Sequence, residues 1–362
     1  MTLSLVLRSC LFVAGASLSL PVAAHGSAAG ADAVRLLAWQ AEGWIAVSVV
    51  MMAVMLLARF AASSKPLAAW GALLSVLALT SLAAVLWQVD RWVLGGLVAG
   101  IWLYAVGLHR LWGAAHFGAG IPAGCAACYF AGMALLVVAL MSPVDAIGEH
   151  LFSMHMVQHE LMMLVAAPLI VAGNPLTACI WAFSPPARVR IGRLLHSRSL
   201  RWLRQLWHLL TQALAAWLLH ALVLWAWHFP TLFSASLADD GVHTLQHISF
   251  LGSALLFWAA LLGPHARLRA NRQGLAAVYV LTTAIHTGAL GALLTFSPRA
   301  WYPDYAGRTE DWGLTLLEDQ QLGGLIMWVP AGFLLLAAGL WLAARMLAPR
   351  GNGLRDWQPA GR

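Results

Sequence analysis

The sequence predicts an all-α, polytopic membrane protein, a bundle of about nine transmembrane helices that follows an N-terminal signal peptide. Hydrophobic residues make up 61% of the 362-residue chain, and charged residues make up only 10%. Several separate apolar runs reach about 20 residues, which is the length that crosses a bilayer core. Soluble proteins carry about 25% charged residues. A soluble globular protein is therefore excluded, and with only 4 cysteines so is a fold built on disulfides.

The chain divides into four parts. Residues 1–24 combine a basic residue, an apolar run and a small-residue end at Ala24, which is the pattern of a secretory signal. An extension at 25–91 is expected to hold two spans, a domain at 92–345 is expected to hold seven, and 346–362 form a cytoplasmic tail. The nine predicted spans are 40–60, 67–87, 92–112, 125–141, 151–173, 206–228, 243–263, 274–296 and 320–344.

Charge orients this bundle. If the mature N-terminus is outside, 16 of the 21 Lys and Arg residues fall on the cytoplasmic side, and positive loops resist translocation. We therefore expect a bacterial inner-membrane protein with its C-terminus in the cytoplasm. The arginines of 174–205 flank spans, which favours contact with anionic membrane lipid over nucleic acid. The outer face is acidic and would attract cations or a basic partner, and the longest outer loop, 297–319, is expected to lie over it as a lid.

Two histidine pairs predict a metal site in the outer half of the bundle. His155 and His159 are four residues apart, and so are His243 and His247. Each pair therefore lies on one face of its helix, and the two pairs can close on a single ion. Histidines inside spans are costly unless they pair, face a cavity or bind something.

Four further candidate ligands lie at a similar predicted depth. They are His228, His286, Met162 and Met163. The two methionines continue the stripe of the first histidine pair along its helix. A set that combines thioethers with imidazoles favours copper, particularly Cu(I), so copper is the expected metal.

Three polar residues are candidates to support these ligands. Glu160 lies near the predicted bilayer midplane, where it would serve as a partner of a ligating imidazole, a proton carrier or a protonated acid bonded to a neighbouring helix. Asp319 and Gln320 begin the last span, where they would either support the histidines or cap their own helix. Gly323 and Gly324 follow and would permit close helix approach.

Several short motifs occur together in this chain. They are HMVQH at 155–159, APL at 167–169 with Gly173, WHFP at 227–230, His243 with Gln246 and His247, and DQQLGG at 319–324 with Met327 and Trp328. This combination resembles the multi-span CtaG family of cytochrome c oxidase assembly factors, over residues 92–345. The resemblance implies a non-enzymatic factor that binds copper and delivers it to the CuB centre of a haem-copper oxidase. The implied partners are an oxidase subunit and an extracytoplasmic copper chaperone. The two spans before residue 92 depart from the family pattern.

Two other functions remain open from the residues alone. A copper transporter should carry ligands through the full membrane depth, and the inner half offers few beyond Met51, Met52 and Met55. A membrane enzyme with a di-iron centre usually needs more histidines, including adjacent pairs, which this sequence does not contain. Haem ligation would need two facing histidines with room for the macrocycle.

The predicted topology can be tested by thiol labelling in intact cells. A cysteine placed at Arg198 should resist an impermeant thiol reagent, because this segment is expected in the cytoplasm. A cysteine placed at Asp240 should react, because it is expected on the outer face. The reverse pattern would contradict an outward-facing histidine site.

Overall fold

The computed structural model describes residues 91–263 and 273–347, together with 53, 54, 57, 72 and 74–76. All of them belong to one compact unit, Gln40–Arg362. The predicted signal at 1–24, the predicted spans at 40–60 and 67–87 apart from those scattered residues, and the tail after 347 lie outside the described residues.

Every regular element in the described part of the chain is helical. The α-helices are α1 (Arg91–Ala114), α2 (Ala123–Met141), α3 (Pro143–Gly148), α4 (Phe152–Glu160), α5 (Ala167–Ala172), α6 (Pro175–Trp181), α7 (Pro185–Leu195), α8 (Arg201–Leu210), α9 (Ala213–Trp227), α10 (Pro230–Ala238), α11 (Asp240–Leu262), α12 (Gln273–Phe296) and α13 (Leu316–Leu347). A π-helical segment, Leu161–Ala166, joins α4 to α5, and short 3-10 turns occur at Pro303–Tyr305 and Glu310–Trp312.

Within the described ranges, six helical stretches are long and apolar enough to cross a membrane. They are Val93–Ala114, Ala123–Met141, Phe152–Ala172, Asp240–Leu262, Gly274–Phe296 and Leu316–Leu340. The bent pair of α8 and α9 makes a seventh if it counts as one span. The predicted all-α fold with several apolar helices of membrane-spanning length is therefore confirmed in the described residues, while the predicted total of nine includes two spans that lie outside them.

The span predicted at 206–228 differs from the structure. α8 and α9 meet at an angle of 77°, because Gln212 takes an extended conformation with φ −68° and ψ 139° and breaks the helix. None of the residues of α8 is buried, and Trp202 and Trp207 are exposed. The predicted span begins at Leu206 and so includes the apolar end of α8, whereas the whole of α8 also carries Arg201 and Arg204 and is amphipathic.

Close packing of α13 positions the helix that carries the first histidine pair. A Cβ atom on Gly323 would collide with the ring of Phe152 at the start of α4. A Cβ atom on Gly324 would lie 2.7 Å from the carbonyl oxygen of Gly291 on α12. The close approach predicted from these two glycines is confirmed, and α13 lies directly against both neighbours.

The third described span contains a change of helical period. α4, the π-helical segment and α5 form one continuous span, Phe152–Ala172. A π-helical turn bonds each residue to the fifth along rather than the fourth, so it alters the faces on which later side chains lie. Side chains after Glu160 therefore do not continue the four-residue stripe of His155 and His159.

Candidate metal centre

Five histidines from three parts of the bundle meet at one end of it. His155 and His159 lie on α4, His228 directly follows α9, and His243 and His247 lie in the first turns of α11. We call these five residues the histidine cluster. α4 and α11 begin at this end and α9 ends there, so alternating chain direction brings the five together.

The imidazole rings of the two predicted pairs are in contact. Ring centroids are 4.4 Å apart for His155 and His159 and 4.3 Å apart for His243 and His247. Between the pairs, the ring of His155 lies 5.5 Å from that of His243, and the ring of His159 lies 5.6 Å from that of His247. The structure therefore places the two pairs face to face across α4 and α11.

Three of these rings already approach the geometry of a metal site. One ring nitrogen from each of His155, His243 and His247 lies within 4.8 Å of the other two. Nitrogen ligands about 2.0 Å from one ion are separated by roughly 3.3–3.5 Å, so small ring rotations would bring the three onto a common ion.

Several nitrogens of the cluster are buried without a hydrogen-bond partner among the described residues. These atoms are Nε2 of His155, both ring nitrogens of His159, and Nε2 of His228 and of His247. Buried polar atoms in native proteins are nearly always paired, so a group of unpaired atoms needs an explanation such as an ion. Their position at the end of a membrane bundle makes the cost of leaving them unpaired higher still.

His228 is held in the tautomer that suits a ligand. Its Nδ1 lies 2.7 Å from the carbonyl oxygen of Leu224. A carbonyl oxygen only accepts, so Nδ1 carries the hydrogen and Nε2 carries the free lone pair. The ring lies 6.1 Å from that of Phe250, which in turn lies 4.5 Å from the ring of His159. His228 therefore presents an available nitrogen to the cluster.

The other predicted ligands lie differently. Met163 lines a separate cavity together with Glu160 and His220. The ring of His286 packs edge-on against the indole of Trp217, with centroids 5.4 Å apart. Met162 is fully buried in the π-helical segment. Met163 thus shares the cavity with Glu160 and Leu164 of its own span rather than lining the histidine cluster.

Asp319 acts on the backbone of the histidine helix. Its carboxylate is fully buried and accepts hydrogen bonds from the backbone N–H groups of Phe152, at 2.6 Å, and Ser153, at 3.1 Å, and from the Ser153 hydroxyl. α4 has no capping side chain of its own. Asp319 therefore caps α4 from a different helix. It fixes the start of the helix that carries His155 and His159.

Gln320, the next residue, holds the loop that follows α12. Its Oε1 accepts from the backbone N–H of Trp301, and its Nε2 donates to the carbonyl oxygens of Leu294 and Arg299, each at 3.3 Å. These bonds attach the loop to the start of α13. The side chain of Gln320 thus positions the covering loop by hydrogen bonds to the backbone of that loop.

The loop from Ser297 to Thr315 lies over the histidine cluster as the predicted lid, and backbone carbonyls hold it there. The hydroxyl of Tyr302 donates to the carbonyl oxygen of His228 at 2.9 Å. The hydroxyl of Tyr305 donates to the carbonyl oxygen of Gly148 at 3.1 Å. Burial raises the pKa of both phenols above the usual value, so both hydroxyls stay protonated as donors.

Aromatic rings fill the space between this lid and the cluster. The ring of Tyr302 lies 4.7 Å from that of Phe152 and 4.2 Å from that of Phe233, measured between centroids. Phe233 in turn lies 5.3 Å from the ring of His155. Phe233 comes from the short helix α10, and no sequence motif indicated its place. Phe233 thus connects the aromatic rings under the lid to the ring of His155.

Comparison with known proteins identifies the family of this chain. The family model described as cytochrome c oxidase caa3 assembly factor matches residues 102–348. This chain belongs to that family. The match contains the whole histidine cluster, the lid and Asp319, and it confirms the resemblance found over residues 92–345.

Two curated relatives of this caa3 assembly factor family member come from mycobacteria. They are the uncharacterized protein Mb0105 of Mycobacterium bovis and the uncharacterized protein MT0111 of Mycobacterium tuberculosis, each 28% identical over 216 residues. The aligned region covers 57% of this chain and 32% of each relative, so the chain matches about a third of their length. No solved structure matches this member of the family.

The cap that Asp319 provides can be tested in this assembly-factor family member by thermal unfolding in mild detergent. Asp319→Ala should lower the free energy of unfolding by about 1–3 kcal/mol, because it removes a helix cap and leaves buried donors unsatisfied. Glu318→Ala is the matched control, since Glu318 is the exposed neighbouring acid and bonds only to Thr315. Equal midpoints for the two variants would contradict the cap.

Proposed function

We propose that this protein binds copper in the histidine cluster and delivers it to the CuB centre of a haem-copper cytochrome c oxidase. The observation that carries the proposal is the convergence of buried imidazole nitrogens that have no hydrogen-bond partner among the described residues. Membership of an oxidase assembly family supplies the destination. The protein then acts as an assembly factor without turnover, and copper is its cargo.

Copper fits the donor set of the cluster. Imidazole binds zinc, copper, iron and nickel, and Cu²⁺ forms the strongest complexes among the divalent first-row metals. The cluster offers up to five imidazoles, whereas one ion takes three or four. A spare imidazole can replace a ligand when an acceptor approaches, so the ion can leave by successive ligand exchange. His228, beside the lid, is suited to that exchange.

The surface around the lid is negatively charged, which suits the binding of a cation or of a basic partner. Exposed carboxylates surround the cluster end of the bundle, namely Glu149, Asp239, Asp240, Asp304, Glu310, Asp311 and Glu318. The exposed basic residues on the same surface are Arg299 and Arg308. A net negative rim raises the local concentration of cations and steers positively charged partners. We propose that this end faces the extracytoplasmic space, where an oxidase subunit or a copper chaperone reaches it.

Ligand substitutions test the site directly. Alanine at His155, His159, His243 or His247 should reduce the copper bound per chain in protein purified in mild detergent and loaded with copper, because each variant removes a principal ligand. His228→Ala should reduce copper to a smaller extent. The measurement is elemental analysis after removal of free copper.

The control for these variants is His208→Ala, because His208 is exposed on α8, before the start of α9, whereas His228 follows the end of α9. It should retain wild-type copper at wild-type protein abundance. Equal amounts of bound copper in the cluster variants and in the control would contradict the assignment of the histidine cluster as the copper site.

The delivery step is tested in a deletion strain. Loss of this protein should leave a haem-copper oxidase that is made but poorly active, because its CuB centre is incompletely filled. Terminal oxidase activity and copper per haem in the isolated oxidase should both fall. His155→Ala or His159→Ala should reproduce the loss, and the His208→Ala gene should restore both values. Unchanged copper per haem in the deletion strain would refute copper insertion.

A further inference from the structure

A second cavity lies within the bundle, and none of the five cluster histidines lines it. It has a volume of about 40 Å³, which is room for an ion or a few waters. Four potential ligand residues line it: Glu160 and Met163 from the third described span, His220 from α9 and Met327 from α13. Its remaining walls are mostly apolar and include Phe257 and Trp258.

Glu160 supplies a buried oxygen that has no partner. Its Oε2 is inaccessible and makes no hydrogen bond among the described residues. Glu160 directly follows the cluster residue His159, within an apolar span. A carboxylate at such a place is expensive unless a cation, a proton or water accompanies it. The cavity beside Glu160 is the space in which that companion would lie.

His220 is oriented to offer a nitrogen lone pair. The hydroxyl of Ser253 donates to the carbonyl oxygen of Phe250 at 3.1 Å, so its oxygen accepts from Nδ1 of His220 at 3.3 Å. Nδ1 therefore carries the hydrogen, and Nε2 keeps the lone pair. A ligating histidine is commonly fixed in this way by a hydrogen bond to its other nitrogen.

Two thioethers complete the set. Met163 and Met327 are both buried, 7% and 4% exposed, and both line the cavity. They come from different spans that pack closely because Gly323 admits the ring of Phe152. Thioethers are soft ligands that favour Cu(I) over zinc and over hard cations. The cavity thus has a different metal preference from the histidine cluster, which offers nitrogen only.

We propose that this cavity is a second metal site, which holds Cu(I) through the thioethers of Met163 and Met327 and Nε2 of His220, with the Glu160 carboxylate as counter-charge. One positive ion beside one carboxylate leaves the site neutral within the membrane. The identity of the metal rests on the proposed function, in which copper is the cargo. This second ion would be bound close to the histidine cluster, because its ligand Met163 follows His159 by four residues.

The test compares two metals on the full-length chain in mild detergent. Under anaerobic, reducing conditions, Cu(I) is titrated against a colorimetric Cu(I) chelator, and Zn²⁺ is titrated separately. The wild type should bind two Cu(I) ions but only one Zn²⁺ ion, because thioethers do not favour zinc. X-ray absorption at the copper edge of the Cu(I)-loaded protein should show sulfur as well as nitrogen ligands.

Substitutions then separate the two sites. The double variant Met163→Leu with Met327→Leu keeps side-chain volume nearly constant and should lose one Cu(I) ion and the sulfur ligands while retaining its Zn²⁺ ion. Met133→Leu is the matched control, since Met133 is buried in α2 and does not line the cavity. It should bind both metals as the wild type does.

Two results would overturn the second site. One is an unchanged number of bound Cu(I) ions in the double variant. The other is the absence of sulfur ligands in the X-ray absorption of the wild type, which would leave the cavity as a water-filled space. This second measurement does not depend on any variant. Neither result depends on oxidase copper in the deletion strain. If copper per haem is unchanged in the deletion strain while the purified protein binds two Cu(I) ions, the proposed function is refuted and the second site is retained.

Discussion

The buried carboxylate of Asp319 joins the start of the last span to the first turn of α4. Free backbone N–H groups at a helix start need acceptors, and α4 has no capping side chain of its own. Because half of the paired histidines lie on α4 and half on α11, the position of α4 sets the distance between the two pairs. Gly323 allows α13 to approach α4 closely, and Asp319 fixes the position of α4 along α13. The geometry of the histidine cluster therefore depends on a carboxylate whose hydrogen bonds go to backbone N–H groups and a hydroxyl.

The sequence was sufficient for the parts of the fold that follow from regular periodicity. Long apolar runs predicted the spans, and a spacing of four placed each histidine pair on one helix face. Alternating chain direction then brought His155, His159, His243 and His247 to one end, which is where the structure places them. The lid over this end and the close approach at Gly323 also followed from the sequence.

Departures from regular periodicity were not predictable in this way. The predicted stripe assumed an uninterrupted α-helix, whereas Leu161–Ala166 is π-helical and Met163 lines the cavity of His220. The bend at Gln212 likewise falls inside a segment that was predicted as one continuous span. Tertiary roles such as the cap by Asp319 depend on which helix lies adjacent, and local sequence does not specify that neighbour.

Three of the hydrogen bonds that fasten the lid do not depend on the identity of the side chains beneath it. Tyr302, Tyr305 and Arg308 all donate to main-chain carbonyl oxygens, of His228, Gly148 and Glu149 respectively. Every amino acid supplies such an oxygen, so these three bonds do not depend on which side chains the underlying residues carry. A change of the His228 ring would therefore leave its carbonyl oxygen in place as the acceptor for Tyr302.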